Sequence, residues 1–153
     1  MTPTMQEAPV AKVVIYVTSA RGLLVFDQPD FPAVPLQVPG GTVEPGESVE
    51  EAAMRELLEE TGLVPTEPPR LLGTADYAFE KDGRTFLHRR AHFQVPLPGD
   101  PPVTWHHVER TPDGGGGPIR FRLFWLDVEA ARAQLGFGMA MFLDRLGQLV
   151  QRG

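Results

Sequence analysis

Residues Gly41 to Leu63 read GTVEPGESVEEAAMRELLEETGL, and this stretch decides how the chain is understood. Ser48 followed by Glu51 is a capping box, so a helix is predicted to start near Val49. Gly62 suits the left-handed residue just past a helix end. Between them Ala52, Ala53, Met54, Leu57 and Leu58 are helix formers without a break. On such a helix Glu56, Glu59 and Glu60 fall within an arc of about 100°.

That cluster is electrostatically costly. Two carboxylates about 6 Å apart repel by roughly 2–3 kcal/mol at an effective dielectric near 20. Glu59 and Glu60 also sit in the last turn, where the helix dipole disfavours negative charge. The plain reading of an acidic run is a solvated helix face. Dipole and spacing argue instead for a bound cation. Hard divalent ions take oxygen ligands and are shared between carboxylates and substrate phosphates, so Mg²⁺ or Mn²⁺ is expected. The chain has no Cys, and His88, His92, His106 and His107 form no pattern dense enough for structural zinc.

The same stretch resembles the signature box of the Nudix hydrolases: Gly, five residues, Glu, seven residues, then Arg-Glu-apolar-any-Glu-Glu-any-Gly-apolar. Gly41, Glu47, Arg55, Glu56, Leu57, Glu59, Glu60, Gly62 and Leu63 fill every defined position. The resemblance implies an α/β fold, an α/β/α sandwich with a mixed β-sheet and the box as a loop-helix-loop. It implies a metal-dependent hydrolase that cleaves a diphosphate bond in a nucleoside diphosphate linked to another moiety. Glu56, Glu59 and Glu60 become metal ligands by position, with Glu56 also the family's usual candidate for water activation. The carbonyl of Gly40, just before the box, is an expected further ligand. Arg55 would orient the box carboxylates, Glu47 among them. Locally, an i,i+4 pair of Arg55 with Glu51 or Glu59 fits the helix equally well. Glu56, Arg55 and Glu59 are thus the expected catalytic set, and Gly41 and Gly62 are expected to serve conformation. Some family members place the base on a loop before the last strand; Glu109 stands there, with His107 second. A nucleotide-sensing module on the same fold, without catalysis, is the alternative, although such binders usually lose box carboxylates.

With 153 residues, one domain over 1–153 is expected. The net charge of −6 argues against nucleic-acid binding through a basic surface. The N-terminus lacks a secretory pattern and no segment has the length of a membrane span, so cytoplasmic location is the default. The expected partner is a small-molecule nucleotide diphosphate derivative, with a homodimer left open.

Val10 to Val17 and Leu23 to Phe26 read as strands, and Leu36 to Val38 leads into Pro39-Gly40-Gly41. Leu71 to Phe79 and Thr85 to Val95 flank Lys81-Asp82-Gly83-Arg84, a hairpin signal. Val103 to Arg110 and Ile119 to Leu126 form another pair around Gly114–Gly117, the expected tip. Asp127 should cap a helix through Gln134, and Met139 to Val150 reads as a final amphipathic helix with Phe142, Leu146 and Val150 on one side. For the substrate, Tyr77, Phe79, Phe86 and Trp105 could stack a base, while Arg84, Arg89 and Arg90 could hold phosphates. Each has an ordinary reading as a sheet-face residue or solvated arginine.

Overall fold

A computed structural model of the chain, describing residues 8–110 and 116–150, turns the β-branched run near the start into the heart of a sheet. That run lies in β1 (Val10–Ser19), where Val13 through Val17 are all buried. Unbroken rather than alternating hydrophobicity is what a strand covered on both faces needs. The other strands are β2 (Gly22–Asp27), β3 (Gly40–Thr42), β4 (Arg70–Lys81), β5 (Arg84–Pro96), β6 (Thr104–Glu109) and β7 (Ile119–Leu126). They run in the order β4-β5-β1-β2-β7-β6, with β3 paired to β1. β1 and β5 are parallel and the remaining pairs antiparallel, so the sheet is mixed as expected.

Two cores follow from the two faces. Helix α1 (Val49–Thr61) lays Ala52, Ala53 and Leu57 on Val13, Ile15, Ala91 and Phe93. On the opposite face, α2 (Val128–Gln134) and α3 (Leu143–Val150) bring Ala131, Leu143 and Leu146 against Val14, Tyr16, Leu23 and Val25. Full burial of a side chain such as Leu57 is worth roughly 1.5–3 kcal/mol. The Asp82-Gly83 turn has positive φ at both residues, 53° and 74°, the geometry that matches the twist of β4 and β5. Asp127 caps α2 through the Ala130 N–H at 2.7 Å.

Leu36 to Val38 makes single bridges, Phe26 with Gln37 and Leu36 with Leu135, and leads into the short strand Gly40–Thr42. Pro35 and Pro39 bracket the triplet, and neither can donate a ladder bond. One expectation is corrected. The last helix begins at Leu143 rather than Met139. Phe137 and Gly138 have φ of 58° and 70°, which no α-helical turn accommodates, so the chain crosses this region in turns. Phe142 therefore precedes the helix and packs edge-on against His92, ring centroids 4.6 Å apart. Gly114 and Gly115 of the expected hairpin tip, and the side chain of Val150, lie outside what is described.

Candidate metal centre

The two ends of α1 decide which carboxylates meet. The Ser48 hydroxyl accepts the Glu51 N–H at 3.0 Å, and the Glu51 carboxylate accepts the Ser48 N–H at 2.8 Å. At the far end Gly62 takes φ +79° and its N–H donates to the Leu58 carbonyl. Between these caps the sheet-facing stripe contains Ala52, Ala53, Glu56, Leu57 and Glu60. The apolar stripe is thus interrupted by two carboxylates with only 1% and 7% exposure, Glu56 and Glu60.

A third carboxylate arrives from β6. Alternation along that strand turns Trp105, His107 and Glu109 inward. Trp105 Nε1–H donates to the Thr61 carbonyl at 3.0 Å, and His107 Nε2–H donates to the Glu59 carbonyl at 2.9 Å. Both bonds satisfy carbonyls that the end of a helix leaves open. They also dock β6 so that buried Glu109 reaches the acidic pair. Glu56, Glu60 and Glu109 each offer an oxygen within 4.8 Å of the other two.

Of the expected ligands, Glu56 and Glu60 come together while Glu59 stands outside this group, its side chain 37% exposed and paired to Arg55. Glu109 was expected only as an alternative base, and the structure brings it into the cluster. His107 engages its Nε2 proton with the helix end. The Gly40 N–H donates to Glu60 Oε1 at 2.7 Å, so the residue before the box touches the cluster through its backbone. Gly41, expected to serve conformation, also leaves space at the cluster. A Cβ there would sit 2.1 Å from the Glu56 carboxylate carbon, so the missing side chain makes room for Glu56.

Arg55 ties the box together. Its Nε–H and one Nη2–H reach the two oxygens of Glu47 at 2.8 and 2.9 Å, a bidentate fork. Nη1–H groups reach Glu56 Oε2 at 3.0 Å and Glu59 Oε1 at 2.9 Å, and Nη2 also donates to the Thr42 carbonyl. Both sequence readings of Arg55 therefore hold at once for Glu47 and Glu59. The Arg55 bond, followed by the Glu44 N–H, holds Glu47 down to about 2. The bond to Glu47 raises Arg55 in turn, against the opposing effect of its burial.

Beside the cluster lies a cleft of about 160 Å³, bordered by Gly40, Gly41 and Glu60 on one side and Lys12, His88 and Arg90 on another. Burial pushes His88 down to about 4, helped by the charges of Lys12 and Arg90. Tyr77 carries the Arg90 guanidinium 3.9 Å above its ring. Phe79 and Phe86 stack with centroids 5.3 Å apart, and Arg84 lies over Phe86. Arg89 is paired to Asp76 at the surface. Trp105, bound to the end of α1, is not among the residues bordering the cleft.

The family model described as NUDIX domain matches residues 8–146. A Bacillus subtilis (strain 168) protein with the provisional name 8-oxo-dGTP diphosphatase is 51% identical over 49 residues, a match spanning 32% of this chain and 32% of that relative. Among solved structures, a NUDIX hydrolase from Nitrosomonas europaea is 29% identical, with a TM-score of 0.57 over 90% of this chain and 86% of that one. The NUDIX domain of Shewanella oneidensis NrtR, solved with ADP ribose, is 14% identical with a TM-score of 0.67 over 98% and 94% of the two chains, a likeness of fold alone.

Proposed function

The chain belongs to the NUDIX domain family, and on that premise we propose that it is a divalent-metal-dependent hydrolase of the diphosphate bond in nucleoside diphosphate derivatives. The observation that carries the proposal is the convergence of Glu56, Glu60 and Glu109, all buried, within 4.8 Å. Buried carboxylates so close together are strongly unfavourable unless a cation or proton joins them. An all-oxygen donor set suits Mg²⁺ or Mn²⁺. Glu56, Glu60 and Glu109 would hold it, with Glu59 and the Gly40 carbonyl at the edge of the set. When bound, such an ion neutralises charge on the phosphate and lowers the pKa of an attached water.

The chain's own groups supply the rest. Arg55 restrains the Glu56 carboxylate by donating Nη1–H to its Oε2 at 3.0 Å. Glu56 or Glu109 takes the proton of the attacking water as its oxygen bonds to phosphorus, and the P–O bond to the leaving phosphate breaks. No Cys is present, and Ser48 is committed to capping α1, so direct displacement by water is more economical than a phospho-enzyme. Among the described residues no helix is long and apolar enough to cross a membrane.

The test is a panel of nucleoside diphosphate derivatives incubated with Mg²⁺, Mn²⁺ or excess EDTA. Phosphate-containing products are expected with metal only, with one ¹⁸O from labelled water on one product. Robust turnover in EDTA, or a trapped covalent adduct, would overturn the mechanism. A module that only senses nucleotide would bind members of the panel and release no product. The intact box, with no carboxylate lost, supports the enzyme over that reading.

A further inference from the structure

Buried arginines normally have carboxylates, and exposed ones often go without. Arg55 follows that pattern with its carboxylate partners, and Arg90 departs from it. Arg21, Arg89, Arg120, Arg122 and Arg132, all partly open to water, each pair with an acid. Arg90 is only 7% exposed, yet none of the ion pairs among the described residues includes it. Its recorded partners are the Phe137 carbonyl, reached by Nη1–H, and the face of Tyr77. A guanidinium has five N–H donors, and a desolvated one with so little compensation is costly.

Lys12 stands next to it. The two are register partners on the parallel strands β1 and β5, so they lie side by side on one face of the sheet. Lys12 Nζ donates to the Thr42 hydroxyl at 2.6 Å and has no acidic partner among the described ion pairs. Both residues border the cleft whose other side is Gly40, Gly41 and Glu60. The cleft thus has an acidic edge and a basic wall, in a chain whose net charge is −6.

We infer that Lys12 and Arg90 form a subsite for a second phosphate group of the substrate, distinct from the diphosphate that is cut. The assignment to substrate rests on the hydrolase reading above. Two fixed cations favour a phosphomonoester, near −2 at neutral pH, over a carboxylate at −1. His88, held neutral at pH 7 by its position in the same wall, adds a hydrogen-bonding group without changing that count. A substrate spanning the cleft would place its diphosphate at the acidic edge and its further phosphate on the basic wall.

Titration calorimetry with inorganic phosphate in EDTA tests the site without the metal, because the acidic cluster alone repels phosphate. Saturable, salt-sensitive binding is expected in the wild type. It should weaken at least about tenfold in Lys12→Met, the worth of one charge-assisted hydrogen bond, and also in Arg90→Lys. Lys12→Met keeps the apolar stem, and its melting curve shows whether the fold is intact. With Mg²⁺, phosphate should inhibit competitively. A diphosphate derivative bearing an extra phosphomonoester should show a lower KM than its dephosphorylated counterpart, and Lys12→Met should erase that difference. No phosphate binding in EDTA, or equal binding by Lys12→Met, would overturn the subsite. Non-competitive inhibition would overturn its assignment to substrate in favour of a free regulatory anion. Phosphate binding with no hydrolysis of any panel member would sink the hydrolase reading instead, so the two failures are distinguishable.

Discussion

The two faces of the sheet bury charge of opposite sign. Under α1, three carboxylates crowd together and one arginine fans out to Glu47, Glu56 and Glu59 from their rim. On the other face, Arg90 is buried beside His92 and Tyr16 with no acid in the ion-pair pattern. The Tyr16 hydroxyl donates to the Met139 carbonyl at 2.5 Å, which leaves His92 Nδ1–H as the donor across the 3.1 Å to Tyr16 Oη. Burial raises Tyr16 to about 12 and lowers His92 to about 4, so this centre stays neutral apart from Arg90. The Tyr16–His92 pair is accounted for as packing that satisfies its own hydrogen bond. Glu56, Glu60 and Glu109 crowd like charges within 4.8 Å even with Arg55 on Glu56, Arg90 has no acid among the described ion pairs, and Glu60 and Arg90 border the same cleft.

The largest effect should come from the acidic face. Glu56→Gln keeps the shape of the side chain and removes one charge, and turnover should fall by roughly 10²–10⁴ while the melting temperature holds or rises. Near wild-type turnover would move the base to Glu109. Next in size is Gly41→Ala. Its Cβ would fall within 2.4 Å of both Glu56 carboxylate oxygens, so Glu56 must swing away and activity should drop about tenfold or more. A crystal structure of that variant with Glu56 unmoved would contradict the clearance argument.

The pH dependence of stability separates the faces. His92 and His88 are lowered from 6.5 to about 4, so the folded state binds fewer protons than the unfolded chain between those values. Their contribution is present above pH 6.5 and lost as pH falls toward 4. Glu47 is lowered from 4.5 to about 2, and its contribution is present above pH 4.5 and lost as pH falls through 2. Urea midpoints measured against pH should therefore decline in two windows. His92→Gln should flatten the upper one and Glu47→Gln the lower. A single window unaffected by either change would break the comparison. The smallest effect is Ser48→Ala, which removes one half of the capping box and should cost about 1 kcal/mol in urea unfolding.

Much of this was legible in the sequence because it is local. Ser48, Glu51 and Gly62 set both ends of α1, and Asp82-Gly83 set the β4–β5 turn, through bonds spanning a few residues. What stayed hidden depends on distant contacts. The spacing of Glu56, Glu59 and Glu60 placed them on one arc, but which members face the sheet depends on where Ala53 and Leu57 pack. Glu109 joins Glu56 only because β6 ends beside the helix, held by Trp105 and His107 on the last carbonyls of α1. The late start of α3 turns on Phe137, whose left-handed φ no local rule anticipates for an aromatic residue.

On the proposed mechanism, Glu56, Glu60 and Glu109 together bind the divalent ion that hydrolysis requires. Mn²⁺ titrated into the wild type and into Glu109→Gln, followed by electron paramagnetic resonance of the free ion, tests it most directly. Tight binding is expected in the wild type, with binding at least about tenfold weaker in Glu109→Gln and a parallel loss of turnover. Equal Mn²⁺ affinity in the two proteins would rule out Glu109 as a ligand.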